Sequence, residues 1–200
     1  MRPEGGEARM WPVRQVVLIG PVCVGKSTVM PLVAARLGRS CVDLDDVAEA
    51  YYEEVGRGRT RLHEIGAERG DLGAYLWWQE GHPHAVRRVL EDYPGAVISL
   101  GAGHTTYTDP ALFEQVRALL SECQVILLLP TPNNDTSLSV LRERAIRLNG
   151  MDWRMNGVDV LEQWVVGEQN RRLASKIVYT GDDAPARIAD AIVDVLDVHE

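Results

Sequence analysis

An α/β fold built on a parallel sheet is predicted by three observations. Five short apolar runs recur along the 200 residues, each the length of a strand buried on both faces. Stretches with helical spacing of apolar residues separate them. The first run opens directly into a glycine-rich turn and then a helix, as the first half of a βαβ unit does.

The elements follow in order. Gln15–Ile19 is β-branched and apolar and is stopped by Gly20-Pro21, so it reads as the first strand. A helix is expected from about Gly25 to Leu37, closed by Gly38. Pro31 lies inside it and should loosen the turn above Ser27, whose carbonyl loses its partner. Ser40–Val42 reads as the second strand and Val47–Val55 as a helix. Residues 56–73 are rich in glycine and charge, which predicts a loop with at most one helical turn. A helix is expected within 72–92, interrupted near Gly81-His82-Pro83. Ala96–Leu100 is the third strand, 110–121 a helix, and Gln124–Leu129 the fourth strand before Pro130. Helices are expected over 138–147 and 158–170, and Lys176–Thr180 is the fifth strand. Asp182-Asp183 and Pro185 open the last helix, with Ile188, Ala191, Ile192 and Val195 as its apolar stripe.

Composition narrows the function classes. The hydrophobic fraction is 46% and the charged fraction 25%, ordinary for one globular domain. Residues 1–14 read as a flexible polar tail ahead of a single domain over 15–200. A net charge of -8 argues against a nucleic-acid or anionic-membrane binder. No apolar run reaches the ~18 residues of a membrane span, and three widely spaced cysteines suit a reducing cytoplasm better than a disulfide framework. The expected state is a monomer or weak homodimer. Of the 21 basic residues only Lys26 and Lys176 are lysine. A lysine kept in an arginine-dominated chain marks a position to inspect.

Lys26 sits in Gly20-Pro21-Val22-Cys23-Val24-Gly25-Lys26-Ser27, the G-x-x-x-x-G-K-S pattern of a phosphate-binding loop. The glycines let backbone N–H groups curl around phosphate oxygens, and the helix N-terminus favours anions. The loop residues Gly20, Val22, Cys23, Val24, Gly25, Lys26, Ser27 and Thr28 are therefore expected to hold ATP. Lys26 is the phosphate ligand and Ser27 a ligand of Mg²⁺. Cys23 reads as a small side chain in a tight loop rather than a redox switch. Asp43 and Asp45 leave the carboxyl end of the second strand, the edge where doubly wound sheets bind ligands. One carboxylate would support the Mg²⁺ shell and the other would accept a proton from an attacking hydroxyl; helix capping is the competing role.

At these residues the sequence resembles the shikimate kinases. The resemblance rests on Val17–Pro21 with Gly25-Lys26-Ser27-Thr28, on Val42-Asp43-Leu44-Asp45-Asp46, on Val97–Gly103, and on Ala174–Thr180 with the helix after it. It implies a three-layer P-loop fold with a five-stranded parallel sheet in 2-3-1-4-5 order. It also implies a helical lid over about 133–157 and an acceptor-binding segment over about 47–92. Carried over residue by residue, Lys26, Asp45 and Arg147 would be catalytic, Ser27 and Asp43 would serve the metal, and Arg142 or Arg144 would stack on adenine. Gly101, Ala102 and Gly103 would border the acceptor. Ala102 stands where the family has glycine and is acceptable only at negative φ.

The family's carboxylate-binding arginines are not matched. Their positions fall on Glu80, in Trp77-Trp78-Gln79-Glu80, and near Val166. Replacing arginine by glutamate reverses the charge offered to a carboxylate. The expected activity is phosphoryl transfer from ATP to a hydroxyl of a small molecule other than shikimate, with Trp77, Trp78, Glu80, His82 and His84 lining or bordering the acceptor site. Glu80 suggests a neutral or cationic polyol. Authentic shikimate kinase, a nucleotide or nucleoside kinase, and a non-catalytic nucleotide-binding regulator remain alternatives. His82-Pro83-His84 reads as a surface turn rather than a metal site, and Trp153 and Trp164 as packing residues.

Overall fold

A computed structural model describes residues 14–196; the expected tail, apart from Arg14, falls outside the described residues. Strands β1 (Val16–Ile19), β2 (Cys41–Asp43), β3 (Val97–Ser99), β4 (Gln124–Leu129) and β7 (Lys176–Tyr179) form one parallel sheet in the order β2-β3-β1-β4-β7. Counting only these five strands, that is the expected 2-3-1-4-5. The register sets Val17 opposite Ile98 on one side and Val125 on the other. All five carboxyl ends therefore meet along one rim.

Apart from Cys41 of β2 and Lys176, Ile177 and Tyr179 of β7, which are exposed at the two edges, the sheet is buried on both faces, which is why its strands read as apolar runs. Val16, Leu18, Ile126 and Leu128 face a layer formed by α1 (Lys26–Leu37), α7 (Val160–Val166) and α9 (Pro185–Val195). Val17, Ile19, Ile98, Leu127 and Leu129 face the opposite layer, formed by α2 (Leu44–Glu54), α4 (His82–Asp92) and α5 (Pro110–Leu119). Each such side chain contributes about 1.5–3 kcal/mol by leaving water. The alternation of faces also leaves the strand ends no freedom of register. Arg36 of α1 reaches Asp190 and the Ala186 carbonyl of α9, tying the helix after the phosphate loop to the C-terminal helix.

Several expectations are corrected. Residues 56–73 are not loop: α3 runs from Arg59 to Gln79. It is two helices joined at Gly70, whose φ of 74° and ψ of 175° only glycine adopts readily. Burial of Ile65 and Gln79 supports a segment whose glycines weaken helix. Helix α2 starts at Leu44 rather than 47, because Asp43 caps it and accepts from the Asp45 amide at 3.2 Å. The helix expected over 158–170 is broken at Gly167 into α7 and α8 (Glu168–Leu173), and α6 (Asn134–Asn149) extends beyond the expected 138–147. Finally, β5 (Arg154–Met155) and β6 (Val158–Asp159) form an antiparallel hairpin across Asn156-Gly157. Helix α1 runs unbroken through Pro31, which is exposed. No helix among the described residues is long and apolar enough to cross a membrane.

Candidate active site

The phosphate loop is shaped by backbone conformations that side chains resist. Gly20 has φ 139°, and a Cβ there would lie 2.5 Å from the Leu128 carbonyl oxygen of β4. Gly25 has φ 105° and starts α1, accepting from the amides of Thr28 and Val29. Cys23 sits at φ 61°. Val24 is in the core, so this residue faces the loop only through its backbone, while Ser27 and Thr28 are exposed. Lys26 is 8% exposed and donates to the carbonyls of Gly20 at 2.8 Å and Pro21 at 3.0 Å. No carboxylate among the described residues is within ion-pair distance of it. Burial pulls its ammonium down to about 8, opposed by Asp45 and then Asp43. A buried cation without a counter-ion suits an incoming anion. Beside it, Ser27 Oγ donates to Asp43 Oδ2 at 2.6 Å, a pair of hard oxygen ligands of the kind Mg²⁺ prefers. These residues thus fit a magnesium-bound nucleotide. Cys23 is not activated: partial burial pushes its thiol up, outweighing Lys26, Arg144 and Asn149.

Asp45 lies in the first turn of α2 with its side chain 63% exposed. Its carboxylate rests against the end of β3, where a Cβ on Gly101 would fall 2.3 Å from Oδ1. Only glycine permits that approach, although Gly101 has an ordinary φ of -59°. A short 3-10 turn, Ala102–Thr105, follows. Ala102 is not among the positive-φ residues, so its methyl is unstrained. The condition of negative φ set for Ala102 is therefore met.

Two histidines grip this turn. His104 Nδ1 lies 3.3 Å from the Gly101 carbonyl and His82 Nδ1 lies 3.0 Å from the Gly103 carbonyl. Both rings are buried and their centroids are 4.5 Å apart. Tyr52 hydroxyl contacts His104 Nε2 at 2.6 Å, and Tyr107 hydroxyl donates to the His104 carbonyl at 2.8 Å. Trp78 completes the cluster, 5.0 Å from Tyr52 and 5.3 Å from His82. Burial holds both imidazoles neutral, since desolvation is the first cause lowering each. The sequence reading missed His104; it set His82 at the border of the acceptor site, but on a surface turn. His82 is 1% exposed, and the one available signal was that Gly103-His104 directly follows a strand end.

Glu80 takes a different position. It ends α3 exposed and ion-paired to Arg57, whose guanidinium also bonds the Trp77 carbonyl and lies 4.6 Å from the Trp77 ring centre. With Pro83, His84, Arg87, Gln115, Ala118 and Leu119 it lines an open cavity of about 570 Å³ that shares no residue with the Asp45 cluster. The arginines of α6 also part company. Arg142 is bound to the Asp152 carbonyl and Asp159, anchoring the hairpin. Arg144 is close enough to Cys23 to act on its thiol electrostatically, and Asn149 reaches the same sulfur at 3.6 Å. Arg147 is exposed and forms no ion pair among the described residues.

No protein-family model matches the chain. It is 30% identical over 202 residues to a shikimate kinase of Streptomyces avermitilis, covering 94% of this chain and 98% of the relative. A shikimate kinase of Streptomyces coelicolor is 30% identical over 193 residues, covering 92% and 96%. The chain belongs to the shikimate kinase family. It is an ATP-dependent phosphotransferase acting on a hydroxyl. Among solved structures, the shikimate kinase from Acinetobacter baumannii in complex with shikimate aligns with a TM-score of 0.62, at 20% identity and covering 92% of each chain. The shikimate kinase from Aquifex aeolicus aligns at 0.57, at 20% identity, covering 90% of this chain and 94% of that one. Both share the fold.

Proposed function

We propose that this shikimate kinase family member phosphorylates an uncharged small hydroxyl compound, bound between Asp45 and the Gly101–His104 turn, with ATP and Mg²⁺. The observation that carries the reading is the seating of the Asp45 carboxylate over Gly101 beside the buried, unpaired Lys26. The nucleotide supplies the γ-phosphoryl group. Lys26 holds the phosphates, Ser27 and Asp43 the metal shell. Asp45 takes the proton from the acceptor hydroxyl as its oxygen bonds to phosphorus and the bond to ADP breaks. Residues 133–157 act as the lid, with Arg144 and Arg147 directed at the nucleotide and water excluded on closure.

The uncharged character of the acceptor is supported by what surrounds the turn. Tyr52, Trp78, His82, His104 and Tyr107 are aromatic and neutral. The nearby Arg57 is already paired with Glu80. Because Glu80 is neutralised in this way, it gives no preference for a cationic acceptor. Phosphoryl transfer should be measured across a panel of sugars, cyclitols, other polyols and hydroxy acids. The expected outcome is turnover with neutral polyols, lost in Asp45→Ala with ATP binding retained and lost in Lys26→Ala together with ATP binding. Turnover confined to carboxylate-bearing acceptors would overturn the acceptor class and require Arg57 to leave Glu80.

A further inference from the structure

We infer that His104 is a positioning residue that aims the Asp45 carboxylate, with Tyr52 locking the imidazole in the tautomer this requires. The inference rests on the reading of Asp45 as proton acceptor. The tautomer follows from the partners. The Gly101 carbonyl can only accept, so the nitrogen 3.3 Å from it, Nδ1, carries the hydrogen. Nε2 is then a bare acceptor, and the Tyr52 hydroxyl 2.6 Å away donates to it. Tyr52 is buried, and burial first, then Asp45 and Glu49, push its phenol far up, so it remains a donor.

With that tautomer fixed, Nδ1–H donates to the Gly101 carbonyl, and Asp45 Oδ1 lies 3.9 Å from the same nitrogen, just outside hydrogen-bond distance. A movement of Asp45 by about 1 Å turns this approach into a charge-assisted hydrogen bond. The opposite tautomer would present a lone pair to both the carbonyl and the carboxylate, and would leave the Tyr52 hydroxyl facing an N–H. His82 sets the far end of the same turn through Gly103, so the ring of His104 has little room to rotate. Each half of the device is therefore held from behind: Asp45 by the end of β2 and the cap of α2, His104 by Tyr52 of α2 and the tilted ring of His82 of α4.

The test uses the full chain with Mg·ATP as the probe and water as the phosphoryl acceptor, so that no acceptor need be known. Glutamine at 104 can still accept from Tyr52 but offers no donor at the Nδ1 position. Asparagine places a donor there. His104→Gln should lower kcat for phosphate release about tenfold or more with the KM for ATP unchanged, while His104→Asn retains most of the rate. In an Asp45→Asn background, His104→Gln should add no further loss. ¹⁵N NMR of the wild-type imidazole should show a protonated Nδ1 and a bare Nε2, and Tyr52→Phe should weaken that preference. A protonated Nε2 with a bare Nδ1, or an equal loss from His104→Gln with and without Asp45, would overturn the proposal. If Asp45→Asn releases phosphate at the wild-type rate, the proton-acceptor reading of Asp45 falls first. If His104→Gln does not fold, the wild-type tautomer and the Tyr52→Phe rate decide.

Discussion

Replacing Gly101 by alanine isolates the seat of Asp45 from every other feature of the site. The backbone at Gly101, φ -59° and ψ 151°, is comfortable for alanine, so folding should be unaffected. The added methyl would lie 2.3 Å from Asp45 Oδ1 and 2.8 Å from Oδ2. Ordinary contact needs about 3.3 Å or more, so the carboxylate must withdraw by roughly 1 Å. A misplacement of that size at a reacting group costs about 10²-fold in rate, or about 2.7 kcal/mol in the barrier. Steady-state kinetics with an acceptor identified from the polyol panel should show this loss in kcat, with the KM for ATP unchanged. The melting temperature should stay within about 2 °C of wild type. Wild-type turnover would refute the claim that chemistry depends on where the carboxylate sits. A large fall in melting temperature would refute the claim that the glycine is needed only by its neighbour.

Three further outcomes are expected. Gly20→Ala places a methyl 2.5 Å from the Leu128 carbonyl at φ 139°, so the loop must leave β4, and calorimetry should show a melting temperature lowered by several degrees together with loss of ATP binding. Stability should fall on acidification: His82 and His104 are held neutral in the fold by burial while the unfolded chain protonates them near pH ~6.5, so their contribution is intact above that pH and declines as pH falls below it. Thermal melts from pH 7.5 to 5.5 should show this decline and a shallower slope in His82→Gln, and a flat profile for the wild type would refute it. Arg142→Ala removes the guanidinium held by Asp159 and the Asp152 carbonyl, and limited proteolysis should cut faster within 150–157 with the core left intact.

What could be read from the chain alone follows physical lines. The strands were legible because the central ones are covered on both faces, so apolar residues, many of them β-branched, dominate their sequences. The phosphate loop was legible because its chemistry fixes residue types at consecutive positions. Helix α3 was misread because glycine marks a break by composition, whereas Gly70 marks a kink and Gly73 a close approach within a helical segment. The β5–β6 hairpin carried a signal that went unused: Asn156 and Gly157, with φ 49° and 82°, are the pair a type I′ turn requires. Glu80 and Arg57 are 23 residues apart and meet only because α3 folds back toward the end of α2. The Tyr52–His104 contact spans 52 residues and depends on α2 and the end of β3 sharing one rim. Pairings of that kind have no periodicity from which to be inferred.

The two tryptophans of the hairpin region have an optical consequence. Trp153 stands at φ 61° just before β5, and its indole meets that of Trp164 on α7 edge-on, with ring centres 4.9 Å apart. Indoles so close and so oriented couple their excited states and report the distance between the two segments. Anything that shifts 150–159 relative to α7 must alter the near-ultraviolet circular dichroism and the fluorescence of this pair. The protein thus carries an intrinsic gauge of that segment, readable on addition of nucleotide without any label.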